Sequence, residues 1–241
     1  MLRDPIRTVL VPVDFGPASA QAVALGGFLA SAVDATLRVL HAEAFDVPPY
    51  FTLPQIARYE AELEAARAGA LDYLRQFVAS HTEWSAECAV VEERPAEAIA
   101  AAASRADLVI MGTHGRRGPG RWWLGSVAER VVHASEAPVL VLHEGVAIDA
   151  PAEVWSRVAV VGLGHDVTAP ALAWTRALVG RFQGDVTSVG TLDACRPDML
   201  SDASLIVVEL PAPASVAASA AQDAGAVLRA CPRPVLFVRS S

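Results

Sequence analysis

The stretch MGTHGRRGPGRWWLGSVAER runs from Met111 to Arg130 and holds five glycines in its first fifteen residues. An apolar run at 108–111 leads into it, and a helical pattern leads out of it. Glycine lets the backbone approach a ligand closely, and a loop between a strand and a helix can direct several N–H groups at an anion. Ser126 stands at the predicted N-cap, where its hydroxyl can bond a phosphate or the helix's own N–H. The segment is either a phosphate-binding loop made of backbone or a solvated surface loop.

The composition limits the classes of function. The chain has 241 residues and a net charge of −8, which argues against general nucleic-acid binding. All 19 basic residues are arginines, so a lysine-dependent P-loop and Schiff-base catalysis are excluded. Cys88, Cys195 and Cys231 share no short spacing, and we interpret them as isolated thiols. We find no membrane-length apolar run and no signal-peptide pattern, and we expect a cytoplasmic protein that does not bind a membrane.

Short apolar runs rich in β-branched residues alternate with helical patterns in the first part of the chain. The predicted strands are 7–15, 36–44, 86–93, 107–111 and 137–144. A long amphipathic helix is predicted from Gln55 to Val78, and Pro95 opens an alanine-rich helix. Alternating strands and helices form parallel βαβ units, so the sequence predicts an α/β fold with a doubly wound, five-stranded parallel sheet.

The rest of the chain resembles a shortened second copy of this pattern. Its predicted strands are 157–164, 184–191, 203–210 and 233–240. The first two follow their counterparts by 149 residues and the last two by 96 to 97, so about fifty residues are missing from the middle. We predict a complete domain over 1–145 and a truncated, degenerate repeat over 155–241 that lacks the glycine loop.

The spacing G-x2-G-x9-G-S is formed by Gly112, Gly115, Gly125 and Ser126. Together with the early VPVDF and with RPAEAIAAAASRADLVIMGTHG, it resembles the ATP-binding branch of the universal stress protein family, over the range 7–144. The resemblance implies an adenine nucleotide alpha-hydrolase-like fold that holds ATP with Mg or Mn. The second copy has prolines and alanines where the spaced glycines would fall, so we expect one adenine nucleotide per chain.

The resemblance also implies which residues contact the nucleotide. Base and ribose contacts fall to strand-end residues, and phosphate contacts to the glycine loop and the helix after it. The set is Pro12, Val13, Asp14, His41, Ala42, Met111, Gly112, His114, Gly115, Gly125, Ser126 and Val127. Asp14 can accept a hydrogen bond from a ribose hydroxyl, or it can cap a turn or helix. For His114 we prefer a turn or a phosphate-side hydrogen bond to acid–base chemistry.

We expect a regulatory function. The presence or absence of a bound nucleotide would carry a stress-response signal to an unidentified regulatory protein partner. One alternative is a slow ATPase or nucleotide-transfer enzyme on the same fold, although the sequence offers no clear general base beyond His114. Another is a scaffold that binds no nucleotide. In members of the family the last strands pair, so we expect either a homodimer or an intrachain pseudo-dimer through the strands at Pro138 and Pro234.

Overall fold

The computed structural model describes residues 5–44, 68–113, 125–143, 148–191, 200–211 and 233–239. The strands in these ranges form one sheet in the order β3-β2-β1-β4-β5-β9-β8-β6-β7. They are β1 Thr8–Val13, β2 Thr36–Ala42, β3 Ala86–Val91, β4 Leu108–Thr113, β5 Val139–His143, β6 Arg157–Gly162, β7 Asp185–Thr191, β8 Leu205–Leu210 and β9 Val235–Arg239. Only the β5–β9 pairing is antiparallel among these strands. The expected α/β fold with a parallel-dominated sheet is confirmed.

The helices lie between the strands. They are α1 Pro17–Val33, α2 at residues 68–79, α3 Pro95–Ala103, α4 Ser126–Ala134 and α5 Ala169–Gly180, with a 3-10 helix at Pro151–Trp155. Proline opens α1 and α3, where its fixed φ suits the first turn and its missing N–H costs no helical hydrogen bond. The predicted part of α2 from 55 to 67 lies outside the described residues. None of the described helices combines the length and the apolar character that a membrane span requires.

The prediction that the first strand reaches residue 15 was wrong. The strand ends at Val13, and Phe15 adopts a left-handed backbone conformation with φ of 63°. The apolar character of Phe15 extended the sequence pattern past the strand, although its side chain packs beside the strand end instead of continuing the ladder.

Both faces of the central part of the sheet are covered, which explains why strands such as β1, β4 and β5 are almost entirely buried and apolar. The edge strands β3 and β7 are partly exposed and carry polar residues. On one face Val9 packs in a cluster with Leu25 of α1, and the same cluster includes residues of α2 and α5. On the other face Leu10 packs with Ile99 of α3 and Val131 of α4. The helices thus lie on alternate sides, and the loops that follow the parallel strands meet at one edge.

Hydrogen bonds recur between the two halves at the separations seen in the sequence. The N–H of Asp107 donates to the carbonyl of Thr8 at 2.9 Å, and its carboxylate accepts from the N–H of Thr8 at 3.0 Å. The N–H of Ser204 donates to the carbonyl of Arg157 at 2.7 Å, and its hydroxyl oxygen accepts from the N–H of Arg157 at 2.9 Å. The strand order β2-β1-β4-β5 also recurs as β7-β6-β8-β9.

Two features join the halves besides the β5–β9 pairing. The guanidinium of Arg239 on β9 donates to the carbonyls of Val132 and His133 at 3.3 and 3.2 Å, near the end of α4. On the other face Phe182 stacks on the buried Trp155 at 5.3 Å and contacts Phe28 of α1 at 5.6 Å between ring centroids. Helix packing and strand pairing therefore hold both halves around one continuous sheet.

Candidate functional site

The strand order reverses direction between β1 and β4, because β2 lies on one side of β1 and β4 on the other. In open α/β sheets the loops on either side of such a point diverge and leave a crevice at the carboxyl ends of the strands. We call the ends of β1 and β4 (12–14 and 111–113), with the start of α4 (125–127), the first crevice. The predicted residues Pro12, Val13 and Asp14 lie on one side of it.

Gly112 forms the part of the first crevice that lies against α1. A Cβ atom at this position would be 2.6 Å from the Cβ of Ala18 and 3.0 Å from the backbone nitrogen of Ser19. Atoms of that kind do not approach so closely, so a side chain at residue 112 would displace the first turn of α1. Met111, the preceding residue, is buried in the sheet. Glycine is required here because the first turn of α1 packs directly on the backbone of β4.

Asp14 forms a turn at the end of β1. Its Oδ1 accepts from the N–H of Gly16 at 2.9 Å and from the hydroxyl of Ser19 at 2.6 Å. The N–H of Asp14 in turn donates to the Ser19 hydroxyl oxygen at 3.1 Å. The first of these contacts is an Asx turn, which is the alternative that the sequence left open for this residue. The side chain remains exposed at the rim of the crevice.

His41 lies at the end of β2, directly beside Val13 in the parallel register. Its Nδ1 lies 2.9 Å from the Val13 carbonyl; a carbonyl can only accept, so Nδ1 carries the proton. The ring of Phe15 contacts the imidazole with centroids 4.5 Å apart. The Phe15 ring also packs on the ring of Phe77 of α2, with centroids 5.4 Å apart. Helix α2 therefore holds the imidazole in place through Phe15, beside the half-buried Ala42. The sequence reading missed Phe15, although its position directly after the PVD motif is a usable signal.

The start of α4 differs from the prediction. Its N-cap is Gly125, with φ of −58° and ψ of 147°, and Ser126 is already the first helical residue. The prediction of Ser126 as the N-cap was wrong because glycine can occupy the cap position, leaving serine one residue inside the helix. The N-cap Gly125 has no side chain to cap this helix, and the first intrahelical hydrogen bond runs from the N–H of Glu129 to the carbonyl of Gly125. The N–H groups of the first turn, which includes the half-buried Val127, have no acceptor within the helix.

The structure leaves part of the predicted site undescribed. His114 and Gly115 lie outside the described residues, as do Arg116, Arg117 and Arg121. The other ten predicted residues lie at the ends of β1, β2 and β4 and at the start of α4. Within the described ranges, no three His, Cys, Asp or Glu side chains are grouped as ligands for a metal ion.

The strand order also reverses between β6 and β8, and we call the carboxyl ends of these strands, with the start of α5, the second crevice. Here Glu209 is fully buried, and its carboxylate accepts from the N–H and the hydroxyl of Thr168, each at 2.7 Å. The sequence reading missed Glu209. A usable signal was its position as a single acidic residue in the apolar run LIVVEL, because a buried strand rarely carries an unpaired charge.

The described architecture is that of a doubly wound α/β protein with crevices at the carboxyl edge of its sheet. The model of the universal stress protein family matches residues 5–143. The chain therefore belongs to the universal stress protein family.

Individual relatives agree with this assignment. A universal stress protein of Methanocaldococcus jannaschii is 31% identical over 140 residues, which are 56% of this chain and 81% of that protein. One of Mycobacterium tuberculosis is 33% identical over 141 residues, 56% of this chain and 45% of that protein. A crystal structure of a universal stress protein from Archaeoglobus fulgidus, 19% identical, covers 97% of this chain and 98% of its own with a TM-score of 0.67. Similarity in fold thus extends over nearly the whole chain.

Proposed function

We propose that this chain binds one adenine nucleotide, ATP, in the first crevice and acts as a regulatory module of the stress response. The proposal is based chiefly on Gly112. Because this residue has no side chain, α1 can pack directly against β4 where the strand order reverses. The spacing from Gly112 to Gly125 then leads to a helix whose N-cap residue, Gly125, has no side chain to cap the first turn. An anion at such a helix start is stabilised by about 0.3–1 kcal/mol at an exposed site.

The contacts follow from the positions of the residues. Asp14, exposed at the rim, is the residue that would accept a hydrogen bond from a ribose hydroxyl, and His41 with Ala42 would flank the base. The phosphates would lie toward Gly125 and Ser126, with His114 and Gly115 contributing from the loop. A divalent cation, Mg or Mn, would be held chiefly by phosphate oxygens, because Mg²⁺ in such sites keeps several waters and uses one or two carboxylates.

We also propose that the chain consists of a complete domain over 1–145 and a truncated repeat over 155–241. The recurring hydrogen bonds of Asp107 and Ser204 and the recurring strand order support this division. The antiparallel β5–β9 pairing covers the edge of β5 from within the chain, which favours an intrachain pseudo-dimer over a homodimer. We expect a cytoplasmic monomer, and light scattering after gel filtration should give a mass near 25.3 kDa.

The nucleotide content of the purified protein tests the proposal. The protein is denatured, and the supernatant is separated by anion exchange for the wild type and for Gly125→Ala/Ser126→Ala. Alanine can adopt the φ of −58° at residue 125, so the double variant should fold. Gly69→Ala/Ser201→Ala changes the same two residue types at exposed positions elsewhere and is the matched control.

We expect about one adenine nucleotide per chain in the wild type and the control, and a loss of at least tenfold in affinity for the double variant, which is about 1.4 kcal/mol. Recovery of ADP alone would favour the slow ATPase, and a turnover assay would then follow. A wild-type protein that is empty and also fails to take up added ATP would refute the proposal.

A further inference from the structure

We propose that Glu209 is the resident anion of the second crevice: its carboxylate takes the contacts at the start of α5 that a bound anionic ligand would otherwise make. Glu209 lies on β8 with none of its surface exposed, and both carboxylate oxygens accept from Thr168. The inference concerns the second half, and its structural part holds whether or not the first crevice binds ATP.

Glu209 occupies the position that Gly112 occupies in the first half. It follows Gly112 by the 97 residues that also separate Ser204 from Asp107. In the sheet it lies opposite Gly162 at the end of β6. At this equivalent position the first crevice therefore has Gly112, which carries no side chain, and the second crevice has Glu209, which carries a carboxylate.

The connection between strand and helix explains how a side chain fits in the second crevice. Three residues, 14–16, join β1 to α1, and the first turn of α1 lies directly against Gly112. Six residues, 163–168, join β6 to α5. The longer connection leaves room between β8 and the start of α5, and the Glu209 side chain spans that space to reach Thr168.

The contacts of Glu209 complete the cap of α5. Thr168 is the N-cap, and its hydroxyl oxygen accepts from the N–H of Ala171 at 3.4 Å while its proton is donated to Glu209. In a capping box, a glutamate at the third helical position accepts from the N–H of the N-cap residue. In α5 that position is Ala171, and Glu209 makes the equivalent contact from a strand 41 residues away.

A buried carboxylate at this point also excludes a second negative charge. An anionic ligand would have to displace Glu209 from two charge-assisted hydrogen bonds and would meet its charge at close range in a buried site, where solvent screens charges only weakly. The start of α5 is therefore closed to an anion from solution.

Chemical rescue of Glu209→Ala tests the inference without any nucleotide. The substitution removes a CH₂–COO⁻ group, which acetate matches in size and charge. Melting temperatures are measured in acetate, in chloride at equal ionic strength and with acetamide, a neutral molecule of the same shape. Glu153→Ala, at an exposed carboxylate directly before the second half, is the matched control, and Glu209→Gln keeps the shape of the side chain but not its charge.

We expect Glu209→Ala to lower the melting temperature by about 5–10 °C relative to wild type. Acetate should restore part of this loss in a saturable manner and acetamide should not, while the wild type and Glu153→Ala respond to neither. Glu209→Gln should be less destabilised and insensitive to acetate, because its side chain still fills the space. If the alanine variant does not fold, the melting temperature of Glu209→Gln is the readout. A wild-type melting temperature in both variants, or equal effects of acetate and chloride on the alanine variant, would overturn the inference.

Discussion

Gly112→Ala is the substitution that probes the first crevice most directly. The added methyl group would lie 2.6 Å from the Cβ of Ala18 and 2.8 Å from its carbonyl carbon, whereas carbon atoms pack at about 3.5–4.0 Å. The first turn of α1 must therefore move away by about 1 Å, against the Asp14–Ser19 hydrogen bonds that fix it. Overpacking of this kind costs about 1–3 kcal/mol, which lowers the melting temperature of a chain of this size by about 3–10 °C.

The same change should weaken nucleotide binding by at least tenfold, because the displaced first turn of α1 shifts Ser19 and with it Asp14, the proposed ribose contact. Gly69→Ala is the control: no atom lies within 4 Å of a Cβ there, and in the helical backbone of α2 alanine should stabilise by about 0.5–1 kcal/mol. Differential scanning fluorimetry and titration with ATP provide the two readouts. If Gly112→Ala melts and binds like the wild type, the close approach of Gly112 to α1 is not a constraint and the crevice argument is wrong.

Three further changes have defined outcomes. Asp107→Ala removes a buried carboxylate whose Oδ2 accepts two backbone N–H groups at the start of β1, and it should cost about 2–4 kcal/mol in denaturant unfolding. Asp107→Asn should cost about half as much, since one amide oxygen can accept both, and equal losses would contradict this reasoning. Arg239→Met removes the hydrogen bonds between β9 and the end of α4 and should cost about 1–3 kcal/mol; no loss would show that they contribute nothing. Burial lowers the pKa of His143 below its ordinary value of 6.5, so its contribution to stability is present above that pH and is lost as the pH falls. The melting temperature of His143→Gln should therefore fall less than that of wild type between pH 7 and pH 5, and parallel profiles would refute the assignment.

The sequence allowed the parallel-dominated α/β fold to be predicted because its central strands are buried on both faces. Apolar runs such as that of β4 alternate with helical patterns, and this alternation depends only on which residues are apolar. The boundaries were less accurate where an apolar residue packs beside a strand end, as Phe15 does. The hydrophobic pattern of a sequence indicates that a side chain is buried, but it does not indicate whether the backbone of that residue is still part of the strand.

The details of the two crevices depend on distances that a single sequence does not contain. The spacing of Gly112 and Gly125 indicated the first crevice, but whether Gly125 or Ser126 caps α4 depends on backbone angles at one residue. The capping partner of Thr168 is 41 residues away on another strand, and no local pattern predicts that contact. Long-range hydrogen bonds of this kind follow from the register of β6 and β8, which becomes visible only in the folded sheet.

In both halves a carboxylate fixes the start of the helix that follows the first strand, but the carboxylate comes from a different position in each half. In the first half Asp14, exposed at the rim, holds the first turn of α1, and the absence of a side chain at Gly112 lets that turn occupy the space against β4. In the second half the carboxylate comes from Glu209 on the neighbouring strand and fills that space from within. The second half thereby gains a cap for α5, whereas the start of α4 in the first half, where the N-cap Gly125 has no side chain, is the place proposed for an anionic ligand. Because the β5–β9 pairing joins both halves in one sheet, the filled half can serve as a fixed partner for the half that is proposed to bind.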